Sequence, residues 1–110
     1  MKRENRILKH REFVEVLSKY PFEKTSHFVI HYRQNSAEKI RVGINVGKKS
    51  GDAVTRNKIK RQIRTLVGAI FDFGKPLDIV ILVRPTYSPE LYCEAQNELQ
   101  GLWEKIGEKH

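Results

Sequence analysis

The sequence predicts a single α+β domain in which helices pack on a small central sheet, in the order α-β-β-β-α-β-α. Three observations predict this class: apolar and polar residues alternate over 28–33 and 40–47, apolar residues recur at helical spacing in three other stretches, and an apolar run covers 78–83. A chain of 110 residues is the size of one domain. We therefore expect residues 1–110 to share one hydrophobic core.

The first half of the chain is predicted to contain a short helix and three strands. Apolar residues recur at helical spacing from about residue 11 to residue 20, and Pro21 ends that helix. The alternating stretches 28–33 and 40–47 predict two strands. A further short strand at 22–25 would pair with its neighbour.

The second half is predicted to contain a long helix, a buried strand and a last helix. Gly51 and Asp52 supply a turn and an N-cap for a helix from residue 53 to about residue 71. The nearly continuous apolar run 78–83 predicts a strand buried on both faces, at the centre of the sheet. The Ser-Pro pair at 88–89 begins the last helix.

The basic residues are concentrated in the middle of the chain. The formal net charge is +8, and residues 41–64 contain eight basic residues and one acidic residue. Such a surface attracts polyanions by releasing their condensed counterions, so nucleic acid is the leading partner. An anionic membrane surface is the weaker alternative, because the basic segment lacks the apolar face of an interfacial helix.

The composition also excludes several classes of protein. No apolar run approaches the roughly 20 residues that span a bilayer, and no signal-peptide pattern follows the basic N-terminus. The single cysteine, Cys93, cannot form an internal disulfide, and no Cys/His cluster has the spacing of a zinc site. We expect a cytoplasmic protein with a free thiol.

The long helix is predicted to have a basic stripe beside its apolar stripe. On a wheel with about 100° per residue, Arg56, Asn57, Lys60, Arg61 and Arg64 lie on or next to one side. Like charges one turn apart repel by about 0.2–0.5 kcal/mol per pair, and residues 53–64 contain no acid to offset this. A solvated basic face is the plain alternative, but the pattern favours a surface that binds an anion.

A flexible, doubly charged turn precedes this helix. Lys48 and Lys49 stand between Gly47 and Gly51. Backbone N–H groups in the turn and at the helix start could hold a phosphate. The turn lacks the Walker pattern, so nucleotide hydrolysis is not expected.

Together the turn and the helix form one longer motif. It reads Lys-Lys-Ser-Gly at 48–51, Arg-Asn-Lys at 56–58, Lys-Arg at 60–61 and Arg at 64. This motif resembles the signature of the ribonuclease P protein component family, in which the helix carries Arg-Asn-Arg. Lys58 replaces the third residue of that core, and Gly47 stands where Ser is usual. The resemblance extends to Arg-Glu-Phe at 11–13, to the strand at 28–32 and to Asp-Ile-Val-Ile-Leu-Val-Arg-Pro at 78–85.

The resemblance implies a division of labour between protein and RNA. In that family the catalytic RNA subunit binds the divalent metal ions, Mg²⁺ above all, and cuts precursor tRNA. The protein binds this RNA and holds the single-stranded 5′ leader in a cleft between the first helix and the sheet. The protein itself would then supply no catalytic residue and no metal ligand, and it would need no protein partner. The implied fold has a left-handed β-α-β crossover, as in the second domain of ribosomal protein S5, although about 98% of crossovers are right-handed.

The resemblance also assigns residues to the two surfaces. The RNA-facing set is Lys48, Lys49, Arg56, Asn57, Lys58, Lys60, Arg61 and Arg64. The cleft set is Phe13, Leu17 and His31, of which Leu17 is commonly aromatic and His31 is often Tyr in the family. Phe13 could equally be a core residue, because it shares a helical stripe with Val16.

Two other functions remain open on the sequence. A protein that cuts nucleic acid by itself would need carboxylates or a His pair near the basic surface, and Asp52 is the one acid in 41–64. A generic ribosomal-type RNA-binding protein is allowed by the charge pattern alone. The motif at 48–64 counts against it.

Overall fold

The structure, a computed structural model, describes residues 5–7, 9–19 and 22–109. Its element order agrees with the predicted one. The elements are α1 (His10–Lys19), β1 (Phe22–Lys24), β2 (Phe28–Gln34), β3 (Arg41–Val46), α2 (Ala53–Ile70), β4 (Leu77–Val83) and α3 (Tyr92–Lys109). The helix end predicted at Tyr20 and Pro21 lies outside the described residues.

The start of the last helix differs from the predicted one. Ser88 and Pro89 begin a short 3₁₀ turn, Pro89–Leu91, and the α-helix begins at Tyr92. Ser88 makes no side-chain cap hydrogen bond. The Ser-Pro signal therefore marks the start of helical backbone, but the first turn is the tighter 3₁₀ form that is frequent at helix ends.

The four strands form one mixed sheet in the order β1-β2-β4-β3. β2 pairs antiparallel with β1 and β4, whereas β3 and β4 are parallel and are connected through α2. The apolar strand β4 is interior, as predicted. The left-handed sense of the β3-α2-β4 crossover, which the family resemblance implies, stays a prediction.

The two faces of the sheet are covered differently. One face, which we call the core face, carries buried apolar side chains such as Phe28, Ile30 and Ile81, and it packs against apolar residues of α2 and α3. The other face, which we call the α1 face, carries the alternate residues of each strand and lies under α1. Because side chains alternate along a strand, each strand contributes to both layers.

A close approach of helix and strand fixes α1 on its face. Gly43 of β3 lies directly beneath Phe13, and a Cβ atom at Gly43 would be 2.8 Å from the Phe13 ring. A larger residue would push the ring away. Val16, one turn further along α1, is fully buried.

Ion pairs that meet at one buried carboxylate also hold α1 on the sheet. Asp78 of β4 is fully buried and accepts hydrogen bonds from Arg33 at 3.0 Å and from Arg41 at 2.8 Å. On α1, Arg33 pairs with Glu15 at 2.6 Å and Arg41 pairs with Glu12 at 2.7 Å.

Among the described residues, no helix has the length and apolarity to cross a membrane.

Candidate nucleic-acid interface

The turn before α2 presents two lysines at the start of the helix. Lys48 and Lys49 are exposed in a 3₁₀ turn that ends at Gly51, whose φ of 134° lies in the region that favours glycine. Asp52 then accepts a hydrogen bond from the Thr55 backbone N–H at 2.9 Å, and this bond lowers the pKa of Asp52. The one acid of the basic segment is therefore used as the predicted helix cap.

The basic stripe of α2 lies beside its buried stripe. Asn57 and Arg61 are exposed, and Arg56, Lys60 and Arg64 are half-buried. No acidic residue occurs anywhere in Ala53–Ile70. The stripe therefore combines positive charge with donors that are partly withdrawn from water, where hydrogen bonds to an anion are stronger.

Two polar atoms near the start of α2 are buried without a hydrogen-bond partner. They are Ser50 Oγ and Arg56 Nε. Buried donors are nearly always paired in folded proteins, and each unpaired one calls for an explanation. One atom lies at the end of the lysine turn and the other in the first turns of the basic helix. The protein alone therefore leaves hydrogen-bonding groups unpaired in this region.

Lys58 lies on a different side of α2 from the basic stripe. Glu90 has a pKa that is lowered first by a hydrogen bond from the Ser88 side chain and also by the positive charge of Lys58. Gln62, one helical turn after Lys58, donates to the Pro89 carbonyl at 3.1 Å. The side of α2 that carries Lys58 therefore faces the start of α3, away from the basic stripe that the helical wheel predicts.

A groove connects the basic helix to α1. Its volume is about 470 Å³, and Arg64 and Phe13 both line it, together with Asn45 of β3. Burial, followed by the charge of Arg6, lowers the pKa of Arg64. The structure thus brings one residue of the RNA-facing set and one of the cleft set to the same surface.

Three groove residues were not identified from the sequence. Arg6, Lys9 and His10 line the groove from the N-terminal side. Ile7 donates its backbone N–H to the Val42 carbonyl at 3.1 Å, and this pairing lays the N-terminal segment along the edge of β3. The sequence signal was limited to the four basic residues before α1, and the edge pairing that positions Arg6 and Lys9 is a tertiary contact.

The cleft set is divided by the structure. Phe13 lines the groove, whereas Leu17 and His31 do not belong to its lining. His31 pairs across the sheet with Phe22, and their rings are 5.2 Å apart. Phe22 is an exposed aromatic residue of β1, and the sequence predicts the strand but no functional role for its ring.

The structure removes Arg41 from the basic surface that the sequence predicts. The sequence counts it in the basic segment 41–64, but its guanidinium is paired with Asp78 and Glu12. The hydrogen bond to Asp78 raises the pKa of Arg41. Its charge is neutralised inside the protein, so the basic surface is built by the turn and by α2.

Comparisons with known proteins identify the family. The family model described as Ribonuclease P matches residues 1–107. The chain is 43% identical over 106 residues to the ribonuclease P protein component of Mesoplasma florum, covering 93% of this chain and 94% of the relative. It is 35% identical over 106 residues to that of Bacillus velezensis, covering 96% and 91%.

Solved structures agree with the sequence relatives. The RNase P protein of Staphylococcus aureus matches with a TM-score of 0.83 and 30% identity, over 93% of this chain and 94% of that one. The RNase P protein from Thermotoga maritima matches with a TM-score of 0.75 and 25% identity, over 91% and 96%. By both sequence and fold, this chain belongs to the ribonuclease P protein family.

Proposed function

We propose that this chain is the protein subunit of ribonuclease P and that it helps to remove the 5′ leader of precursor tRNA. The observation that carries the proposal is the continuous surface made by the lysine turn, the basic stripe of α2 and the groove beside Phe13. Arg64 of α2 and Asn45 of β3 both line the groove, so the basic stripe reaches the groove at the β3 edge of the sheet. This surface combines a basic site for a folded RNA with a partly apolar groove of about 470 Å³ for a single strand.

The basic stripe is the proposed site for the catalytic RNA subunit. Folded RNA presents closely spaced phosphates, and arginines bind them through two parallel hydrogen bonds. Arg61 is exposed for such a contact, and Lys48 and Lys49 extend the stripe beyond the start of α2. Ser50 Oγ and Arg56 Nε are buried and unpaired at this end of the helix, and they would bond to an RNA phosphate only if their side chains turned outward.

The groove is the proposed site for the 5′ leader. Phe13 offers a ring for a base to stack on, which contributes about 1–3 kcal/mol per base. Arg6, Lys9 and Arg64 place positive charge around that ring for the leader backbone. His31 and Phe22, further along the α1 face, could receive the next nucleotides.

The chemistry is proposed to reside in the RNA. Among the described residues, the one group of three His, Cys, Asp or Glu side chains close enough to hold a metal is His27, Glu94 and Glu98. It is absent from the groove lining and from α2. Mg²⁺ for the reaction would therefore be held by the catalytic RNA. We further propose a cytoplasmic location and no obligate protein partner.

Cleavage of precursor tRNA by reconstituted components tests this proposal. Protein freed of RNA should leave precursor tRNA uncut, and addition of a bacterial ribonuclease P RNA with Mg²⁺ should give cleavage at the 5′ end of the mature sequence. At low Mg²⁺ the RNA with the protein should cut faster than the RNA alone, because the protein screens phosphate repulsion. Metal-dependent cutting by the RNA-free protein would overturn the division of labour.

A further inference from the structure

A histidine and two glutamates form a cluster outside the candidate nucleic-acid interface. His27 lies in the turn between β1 and β2, and Glu94 and Glu98 are one turn apart on α3. Nε2 of His27 is 2.9 Å from an oxygen of Glu94 and 3.6 Å from an oxygen of Glu98. The side chain of His27 is 10% exposed and that of Glu94 is 60% exposed. One ligand atom from each of the three residues lies within 4.8 Å of the others.

The hydrogen bonds of Thr86 decide which nitrogen of His27 carries a proton. The Thr86 hydroxyl is 2.9 Å from the Ser26 carbonyl and 2.9 Å from His27 Nδ1. A carbonyl can only accept, so the single hydroxyl proton goes to Ser26 and the hydroxyl must accept from Nδ1. Nδ1 is therefore protonated, and in the neutral ring the lone pair of Nε2 points at two carboxylates. A cation is needed between them.

The other contacts of the cluster hold its groups in place. The backbone N–H of His27 donates to the second oxygen of Glu98 at 3.0 Å, which orients that carboxylate. Phe28 and Tyr87 pack against the His27 ring edge to face, with centroids 6.4 Å and 5.9 Å away. A histidine that donates its other ring N–H to a fixed acceptor, beside a hydrogen-bonded carboxylate, has the support that metal ligands have in proteins.

We propose that His27 Nε2, Glu94 and Glu98 bind a divalent transition-metal ion of the Zn²⁺ type. Metal-to-ligand distances of about 2.0–2.2 Å place tetrahedral ligand atoms about 3.3 Å apart. The Nε2 to Glu98 distance of 3.6 Å is close to that value. The Glu94 carboxylate must move outward from Nε2 by about 0.4 Å and also towards Glu98, because the ligand atoms are spread over as much as 4.8 Å; its exposure leaves it free to do so. Water would take the fourth position.

The ligand chemistry selects the class of metal. One imidazole with two carboxylates suits Zn²⁺, Co²⁺ and similar ions, whereas Mg²⁺ prefers oxygen ligands alone. The two carboxylates balance the charge of the dication. The ion would tie the β1-β2 turn to α3, and metal binding would therefore stabilise the fold by mass action, independently of any RNA.

Metal titration of the whole protein without RNA tests the proposal. Cys93 is an exposed free thiol next to Glu94 and could bind Zn²⁺ by itself, so every protein carries Cys93→Ser. We expect a saturable Zn²⁺ site by calorimetry, and a Tm that rises by about 5–10 °C for each tenfold increase in free Zn²⁺ above Kd. Co²⁺ should selectively broaden the NMR signals of His27, Glu94 and Glu98.

Two matched substitutions on α3 separate this site from nonspecific binding. Glu94→Gln removes one ligand charge from an exposed side chain and should weaken Zn²⁺ binding at least tenfold without unfolding the protein. Glu104→Gln removes the same charge from an exposed position outside the cluster and should leave binding unchanged. Equal losses in both variants, or Zn²⁺ titration without any change in the His27 ring signals, would overturn the site. If Zn²⁺ leaves the His27 ring signals unchanged, a second proton on the ring, and not a metal ion, would supply the positive charge between the two carboxylates.

Discussion

The core face and the α1 face of the sheet are held by different kinds of interaction. The core face is apolar across three strands and two long helices, with Phe28 and Ile81 fully buried in it. The α1 face is covered by one helix of 10 residues and contains the buried carboxylate of Asp78. Apolar packing is non-directional and supplies stability, whereas ion pairs and hydrogen bonds fix positions.

This difference suits the proposed function. Arg33 and Arg41 each join Asp78 in the sheet to a glutamate on α1. The helix is thereby placed over the sheet without being surrounded, and Phe13 remains half-buried at the edge of a groove. Because the core face supplies the stability of the fold, the α1 face can keep a groove open to solvent.

The largest expected effect is the loss of an aromatic ring from the core face. Phe28→Ala should destabilise the protein by about 3–5 kcal/mol, because it removes buried apolar area and leaves a cavity. Urea unfolding would measure this change. The fraction that stays folded should bind the catalytic RNA normally, and a specific loss of RNA affinity in folded protein would contradict the separation of the two faces.

Next in size is removal of the buried carboxylate on the α1 face. Asp78→Asn should cost about 3 kcal/mol, at the low end for a buried ion pair because the Arg33 and Arg41 side chains stay 15% and 23% exposed. Unlike Phe28→Ala, it should also loosen α1 and weaken leader binding. Faster hydrogen exchange confined to α1 would separate this variant from a general loss of stability.

The same carboxylate predicts a pH dependence. Burial alone would raise the pKa of Asp78, but hydrogen bonds from Arg41, Asn35 and Arg33 outweigh burial and lower it. A lowered folded-state pKa means that the stabilisation is present above the unfolded value of about 3.9 and is lost as the pH falls through the folded value. The stability difference between wild type and Asp78→Asn should therefore shrink below about pH 4. A constant difference would show that the charge of Asp78 is unimportant.

The sequence predicted the core face better than the α1 face. Apolar periodicity is a local signal, so it located β2, β4 and α2 to within about two residues. Asp78 was read as the start of an apolar run, because one polar residue does not break such a pattern and its partners are 37 and 45 residues away in the chain. The N-terminal side of the groove, formed by Arg6, Lys9 and His10, was not predicted for a similar reason: the edge pairing of Ile7 with Val42 has no local signature.

A smaller effect is expected at the groove, where Phe13 of the α1 face is proposed to contact the leader. Phe13→Ala should weaken binding of precursor tRNA with a long leader by about 1–3 kcal/mol, and should weaken binding of mature tRNA far less, since only the leader stacks on the ring. Both should be measured with the RNA subunit at one salt concentration. Equal losses for the two ligands, with a lowered Tm, would make Phe13 a core residue.

Gly43→Ala offers a companion to that measurement. It leaves the aromatic ring in the protein but places a Cβ 2.8 Å from the ring in its present position. The ring must shift, so leader binding should fall while the aromatic side chain is retained. Unchanged leader binding would indicate that the ring position over β3 does not matter.

The smallest expected effects concern single charges on α2, where position should matter more than charge. Arg61 is exposed on the basic stripe, whereas Lys58 is exposed on the side that faces Glu90. Each lost phosphate contact should reduce the slope of log K against log salt for RNA binding by about 0.7 to 0.9. We therefore expect Arg61→Ala to lower this slope by that amount and Lys58→Ala to lower it less.

Neither substitution should change the free energy of unfolding by more than about 0.5 kcal/mol, because removing an exposed charge opens no cavity. A larger slope change for Lys58→Ala, at unchanged stability, would move the RNA contact to the other side of α2.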